Sequence, residues 1–302
     1  MTNASRPEAA AQGAPQEQHP DERARAAFEP TQGWQARLEL DFARQGQRTV
    51  LARRRHIGPL AVQRPFYPEG LLGTCHVYLL HPPGGVVGGD GLDIAVNAGP
   101  GSRALVTTPA AGKLYRSAGP CARLAQSLRV DADAQLEWLP QPTIAFAGVN
   151  ARVGTRVDLA PSGRFIGWEI VCLGRTDSGE RYAGQLHLAL ELWRDGTPLW
   201  VERARYDGDE MLFAPHGLRG YPVSGTLVAS PAPAADVLVA IRSAMDDHGA
   251  VLTGASTVDG VLALRVLGPQ AAAVQCALID AWALLRPAVL DRSALAPRIW
   301  AT

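Results

Sequence analysis

Carboxylates in apolar surroundings are the side chains of this sequence with the clearest potential for chemistry. Five acidic residues lie in or beside apolar or glycine-rich segments: Glu69, Asp90, Glu137, Glu169 and Glu202. A carboxylate in an apolar strand is costly unless a cation pairs with it or it faces water or an ion. Two interpretations follow. The commoner one is a set of salt bridges to the chain's many arginines, and the alternative is an internal polar channel.

Residues 81–90, HPPGGVVGGD, form the most unusual local sequence. Two prolines and four glycines fix a tight, irregular backbone. The segment is either a structural turn or a device that brings His81 and Asp90 to a site or interface. In the strand predicted before it, alternation places Cys75 and His81 on one face and His76 on the other. Any metal contact here is therefore expected to be weak.

The segment around residue 113 combines residue types that are common at protein interfaces. Lys113, the only lysine of the chain, lies within four positions of Tyr115 and Arg116. Tyrosine and arginine are enriched among interface anchors, so the segment is either a contact surface or an ordinary solvated loop. The Gly-x-Ser-x-Gly, His-Glu-x-x-His and Gly-x-Gly-x-x-Gly motifs of enzymes are missing. A triad assembled only in space stays possible.

Composition narrows the function classes further. The 302 residues contain 29 basic and 29 acidic side chains, and 47% of the residues are hydrophobic. A zero net charge counts against a nucleic-acid binder, which needs a surplus of basic groups. No segment has the pattern of a secretory signal or a membrane-spanning run. Four scattered cysteines indicate reduced thiols. The sequence thus predicts a cytoplasmic globular protein with no membrane partner.

A period of two dominates from Trp34 to about residue 230. In residues 185–193, four leucines alternate with polar and aromatic residues, as half-buried strands do. Turn residues recur about every ten positions. This pattern predicts a mainly β fold, a large multi-stranded body of solenoid or sandwich type spanning residues 34–230. Residues 1–33 are predicted to be a disordered tail, and residues 34–302 a single domain.

The pattern changes after Pro233. Apolar residues at helical spacing from Val237 to Met245 predict a helix, and Asp259-Gly260 predicts the turn of a hairpin over residues 251–267. A second helix is predicted to begin near Pro269 and to end at Pro287. Residues 234–302 therefore form a helix–hairpin–helix unit that is expected to pack on the β body.

Several of these segments together resemble the urease accessory proteins of the UreD (also called UreH) family. The resemblance runs in family order from about Trp34 to the C-terminus. The matching stretches are 64–70 (RPFYPEG), 75–90 (CHVYLLHPPGGVVGGD), 107–117 (TTPAAGKLYRS), 136–141 (LEWLPQ), 167–175 (GWEIVCLGR), 217–223 (GLRGYPV) and 297–302 (PRIWAT).

The resemblance implies a non-catalytic component of a nickel-delivery system. It implies three partners: the urease apoprotein, a helical accessory protein of the UreF type and a GTPase of the UreG type. It also implies that nickel passes transiently through the protein along a water-filled route, with no tightly bound cofactor. Transit requires weak ligands, which favours Asp90, Glu169 and Glu202, followed by Glu69 and His81, as residues lining the route. Lys113, Tyr115, Arg116, Arg219 and Tyr221 are the predicted partner-binding residues.

Two other classes of function stay open at this level. A purely structural adaptor would orient its partners without touching the metal. A hydrolase would use the glycine-rich turn as an oxyanion site and would turn over a substrate unaided.

Overall fold

The structure is a computed structural model that describes Met1 and residues 33–301, apart from the side chain of residue 176. The predicted tail falls on residues outside this range, so that prediction stays untested. Numbered in chain order, the strands form two sheets.

The first sheet has seven strands in the order β15-β14-β11-β8-β5-β1-β2. Their bounds are Gln35–Gln45 (β1), Arg48–Ile57 (β2), Gly91–Ala98 (β5), Ala122–Val130 (β8), Asn150–Leu159 (β11), Gln185–Arg194 (β14) and Thr197–Asp207 (β15).

The second sheet has eleven strands and follows the path β17-β18-β16-β12-β9-β6-β4-β3, with β10 and β13 paired to β12 and β7 paired to β10. Their bounds are Ala61–Val62 (β3), Cys75–Leu80 (β4), Arg103–Thr107 (β6), Gly112–Leu114 (β7), Gln135–Trp138 (β9), Thr143–Ala145 (β10), Arg164–Arg175 (β12), Glu180–Arg181 (β13), Val223–Ser230 (β16), Leu252–Val258 (β17) and Val261–Gly268 (β18).

The central strands of both sheets run parallel, and the chain alternates between the sheets. β5, β8, β11 and β14 are parallel neighbours in the first sheet, as β4, β6, β9 and β12 are in the second. Each coil of chain thus adds one strand to each sheet, which is a solenoid arrangement. The prediction of a mainly β, solenoid-like body is confirmed. The parallel pairing distinguishes the fold from an antiparallel sandwich.

The second sheet separates two cores. One face of β12 packs Phe165 and Val171 against the first sheet, and the other packs Trp168 and Ile170 against the C-terminal helices. This alternation follows from the period of two in a strand. A side chain on β12 therefore faces either the intersheet space or the helices, according to its parity.

The helices lie mainly in the C-terminal part. They are α1 (Glu210–Phe213), α2 (Ala235–Asp246) and α3 (Ala271–Leu290), with 3-10 turns at Thr176–Ser178 and Arg298–Ala301. The predicted helix–hairpin–helix unit is confirmed. Its hairpin joins the second sheet through β18 and β16 instead of packing on it as a separate layer. Among the described helices, α3 alone has the length and composition to span a membrane, and half of it is buried inside the protein.

The predicted end of the second helix at Pro287 is wrong. α3 continues through Pro287 to Leu290 and ends where Asp291 adopts a left-handed conformation. A proline within a helix removes one backbone hydrogen bond. Val289 and Leu290 are each 1% exposed, and burial of these side chains offsets that loss.

Candidate functional site

A row of polar side chains crosses the space between the two sheets. Gln126 on β8 and Thr155 on β11 face inward from the first sheet, and Glu169 on β12 faces inward from the second. The hydroxyl oxygen of Thr155 lies 2.5 Å from Oε1 of Gln126 and makes a short hydrogen bond with Oε1 of Glu169. We call Gln126, Thr155 and Glu169 the intersheet row.

The intersheet row ends at a small cavity that contains a second carboxylate. The cavity has a volume of about 30 Å³, which is room for about one water. Glu169 and Glu202 both line it, together with the hydroxyl-bearing residues Tyr206, Ser224 and Thr226. All of these side chains offer oxygen ligands, which suit weakly held divalent cations.

Glu169 differs from Glu69, Glu137 and Glu202, each of which pairs with an arginine. Within the described residues no basic side chain forms an ion pair with Glu169. Burial raises its pKa to about 7, opposed by the Thr155 hydrogen bond and reinforced by the charge of Glu202. Glu202 itself pairs with Arg265 across 3.2 Å. The salt-bridge interpretation of the isolated acids therefore holds for Glu202 but not for Glu169.

The geometry of Thr155 indicates which form Glu169 takes. A hydroxyl has one proton to donate, yet acceptor oxygens of Gln126 and Glu169 both lie within hydrogen-bonding distance of it. Either Glu169 carries a proton or Gln126 turns its amide toward the hydroxyl. Because the pKa of Glu169 is raised to about 7, the first arrangement predominates below neutral pH. A cation entering the small cavity would then displace a proton.

A larger cavity lies at the other end of the intersheet row. It has a volume of about 350 Å³, and Gln126 and Trp138 are among its lining residues. Lys113 and His81 also line it, so the segment of residues 81–90 does bring His81 to a cavity. Burial lowers the pKa of His81, opposed by the nearby charge of Asp90. The imidazole is therefore predominantly neutral at neutral pH, the form that binds metals.

Asp90 binds the backbone of the glycine-rich turn formed by residues 81–90. Its two carboxylate oxygens accept hydrogen bonds from the backbone amides of Trp34 (2.8 Å) and Val87 (2.9 Å). The amide of Val86 donates to the carbonyl of Lys113, which joins the turn to the segment of Lys113. These bonds occupy the amides of Val86 and Val87, so neither of these two amides is available as a donor to an oxyanion.

The glycines of the turn allow close packing. A Cβ at Gly85 would lie 2.2 Å from the ring of Tyr115, and one at Gly88 would lie 2.1 Å from the hydroxyl of Ser117. The turn and the segment of residues 113–117 therefore form one closely packed substructure.

The remaining candidate acid, Glu69, belongs to a different cluster on the helix side of the second sheet. Its carboxylate makes a short ion pair with Arg286 and lies 3.2 Å from Nε2 of His76. Arg286 also contacts Glu137 through Nε at 3.0 Å. We call Glu69, His76, Glu137 and Arg286 the helix-side cluster. Burial raises the pKa of Glu69, but the His76 hydrogen bond and the charge of Arg286 outweigh it and lower the pKa to about 2.

The predicted partner-binding residues lie at one end of the second sheet. Lys113 is in register with Ile144 and Cys172, and Cys172 pairs with Val223. Three strand spacings of ~4.8 Å place the two ends of this row roughly 14 Å apart. Arg219 and Tyr221 come directly before β16 on the same end. Arg116 and Arg219 are exposed, while Lys113, Tyr115 and Tyr221 are half-buried.

Sequence reasoning missed Thr155 and Gln126. Both occupy inward-facing positions in strands whose other inward residues are apolar, and this break in the alternation was the available signal. Within the described residues no group of three or more His, Cys, Asp or Glu side chains is arranged to hold a metal ion. The intersheet row is thus a set of single weak ligands, arranged unlike a structural metal centre.

Fold and site together define a two-sheet β-solenoid protein with a polar row through its interior. The family model described as UreD urease accessory protein matches residues 35–301. A Urease accessory protein UreD from Dechloromonas aromatica (strain RCB) is 46% identical over 280 residues, covering 91% of this chain and 96% of the relative. The proteins of that name from Citrobacter koseri and Klebsiella aerogenes are each 45% identical, over 273 and 271 residues.

These two relatives also match almost end to end. The alignments cover 90% of this chain and 93% of the Citrobacter koseri protein, and 89% of this chain and 97% of the Klebsiella aerogenes protein. The chain belongs to the UreD family of urease accessory proteins. Its role is accordingly in urease maturation, as an accessory protein.

Proposed function

We propose that this chain passes nickel to the apoprotein of urease through the intersheet space while it holds the activation complex together. Its proposed partners in the cytoplasm are the urease apoprotein, a helical accessory protein of the UreF type and a GTPase of the UreG type. The observation that carries the proposal is Glu169, an interior carboxylate with no basic partner among the described residues, beside a cavity shared with Glu202.

The two cavities support a path for the ion. The larger cavity is lined by His81 and Gln126, and the smaller one by Glu169 and Glu202. Thr155 connects Gln126 to Glu169. Each point on this path offers one or two neutral or anionic ligands, so an ion can be held briefly and released. The carboxylates of Asp90 and Glu69 are already bound to protein groups. In this proposal they stabilise the fold and do not contact the ion.

The test is nickel loading of urease by complexes that carry Glu169→Gln. This substitution keeps size and hydrogen bonding but removes the anionic ligand. We expect the complex to assemble as before and the nickel content of urease to fall about tenfold, as for loss of a metal contact. Glu191→Gln is the matched control, because Glu191 lies on the outer side of β14 and pairs with Arg203. The control should load nickel normally.

Full nickel loading with Glu169→Gln in an intact complex would contradict the transfer route. The purely structural adaptor would then be the better account. It predicts that charge reversal at Arg116 or Arg219 abolishes assembly, while substitution of the interior acids has no effect.

A further inference from the structure

Residues 52–57 of strand β2 form an edge of the first sheet that the described residues leave uncovered. The strand pairs only with β1, and residues 52–58 are all exposed. An uncovered edge presents unpaired backbone amides and carbonyls, which can accept a further strand. Ile57, at the end of β2, has 67% of its surface exposed.

Two of the arginines of β2 have no charge partner within the described residues. Arg53 lies near Glu39 and Asp41, at 3.9 Å and 3.7 Å. Arg54 and Arg55 have no ion-pair or hydrogen-bond partner in the described part of the chain. Arg55 is in register with Glu39 and Arg54 with Leu40, so the two arginines project from opposite faces of the strand.

At two other sheet edges of this protein, the arginines or the backbone groups of the edge strand have partners. On β15, the opposite edge of the same sheet, Arg203 pairs with Glu191 and Arg205 with Asp207. On β17, an edge of the second sheet, Arg242 of α2 donates to the carbonyl of Ala255 and so occupies an edge acceptor. Within the described part of the chain, β2 thus combines an open edge with two arginines that have no ion-pair partner.

We propose that β2 binds an acidic, extended peptide segment of a partner protein as an added strand. Backbone hydrogen bonds to β2 would supply the pairing, and Arg54 and Arg55 would select the charge. Because these arginines lie on opposite faces, the matching segment has consecutive acidic residues, whose side chains also alternate. A groove lined by Arg37, Glu39, Arg55, His56 and Ile57 adjoins this edge.

The same charges disfavour the other occupants. Pairing of β2 with β2 of a second copy would bring arginines together, which is destabilising. A nucleic acid would use the arginines but not the row of backbone groups, and the chain has no net positive charge to assist it.

The test measures binding of the full chain to a fluorescent peptide of about nine residues, with a central Glu-Glu pair flanked by Thr and Val. We expect saturable binding, slower hydrogen exchange of the amides of residues 53–57, and an affinity loss of about tenfold in the double variant Arg54→Glu/Arg55→Glu. The matched control Arg203→Glu/Arg205→Glu, on the opposite edge, should bind within about twofold of the parent. If the reversed charges impair folding, the neutral variant Arg54→Gln/Arg55→Gln replaces the charge-reversed one. It should also weaken binding.

Backbone pairing is tested by methylating alternate amides of the peptide, which should abolish binding. Equal binding of the methylated peptide, or of a Lys-Lys version, would overturn the proposal. So would tighter binding of a uridine oligonucleotide, or concentration-dependent dimerisation that protects β2 without peptide. None of these outcomes bears on nickel transfer, so this inference and the proposed function fail separately.

Discussion

Two sites with interior carboxylates lie on opposite faces of the same sheet, and they differ in whether a buried arginine pairs with the acid. On the helix side, Glu69 and Glu137 share Arg286, which is completely buried. On the intersheet side, Glu169 has the hydroxyl of Thr155 beside it, which in turn lies beside the amide of Gln126, and it has no basic partner among the described residues. Glu137 and Glu169 are on the adjacent strands β9 and β12. Their opposite faces follow from strand alternation.

The presence or absence of a paired cation suits the two sites to different roles. A buried ion pair whose hydrogen bonds are all made has little capacity for a further ligand. Removal of one partner strongly destabilises the folded protein, because the other charge is left buried without compensation. A carboxylate in a partly apolar site without a cation can exchange its proton for a metal. The helix-side cluster joins the loop of Glu69 to α3, whereas in the proposed route the intersheet row receives the ion.

The largest effect is expected from removing Arg286. Arg286→Met leaves Glu69 and Glu137 without their shared cation, and we expect a loss of about 3–5 kcal/mol in the free energy of unfolding. Urea-induced unfolding measures it. The control Arg265→Met removes a 57% exposed arginine that pairs with Glu202, and it should cost below about 1 kcal/mol. Similar losses in the two variants would contradict the contrast between the clusters.

The second effect is a difference in pH dependence. The pKa of Glu169 is raised from 4.5 to about 7, so the folded state binds its proton more tightly than the unfolded state does. The stability that this group contributes is present below about pH 4.5 and is lost as the pH rises toward 7. Glu169→Gln should therefore stabilise the protein relative to the parent at about pH 8, by roughly 3 kcal/mol, and leave it nearly unchanged at about pH 4.5.

Glu69 predicts the opposite slope. Its pKa is lowered to about 2, so its contribution is present above about pH 4.5 and is lost as the pH falls toward 2. Urea midpoints measured across this range for the parent, Glu169→Gln and Glu69→Gln would separate the two groups. A pH-independent difference between the parent and Glu169→Gln would show that the pKa of Glu169 is the same in the folded and unfolded states.

The third effect is smaller and concerns one hydrogen bond. The indole N–H of Trp282 donates to Glu137 across 2.7 Å, and Trp282→Phe should cost about 2 kcal/mol in the free energy of unfolding, as for a bond to a charged group. Trp200→Phe is the control, because the buried indole N–H of Trp200 has no hydrogen-bond partner among the described residues. Thermal unfolding compares the two variants. An equal loss of stability in both would contradict a stabilising contribution from the hydrogen bond between Trp282 and Glu137.

Sequence periodicity predicted the strands and helices well because period and turn residues act locally. The strand of residues 185–194, the turn at Asp259-Gly260 and the helix of residues 235–246 all follow from neighbours within a few positions. Tertiary packing overrode the local rule at Pro287, where burial of Val289 and Leu290 extends the helix.

The contents of the two clusters could not be predicted in the same way. Glu69 and Arg286 are 217 positions apart, and no local pattern joins them. Glu169 was identified from its apolar strand, but the sequence could not decide between a salt bridge and a polar interior. Thr155 and Gln126 come from other coils of the solenoid, and only the parallel stacking of those coils brings them to Glu169.

The central claim is that Glu169 exchanges a proton for a divalent cation. Equilibrium dialysis of Ni²⁺ against the full chain, at about pH 6 and about pH 8, tests it most directly. We expect weak binding that strengthens at the higher pH, is lost in Glu169→Gln and persists in Glu191→Gln. Binding that is equal in the parent and Glu169→Gln, or unchanged between the two pH values, would contradict the account.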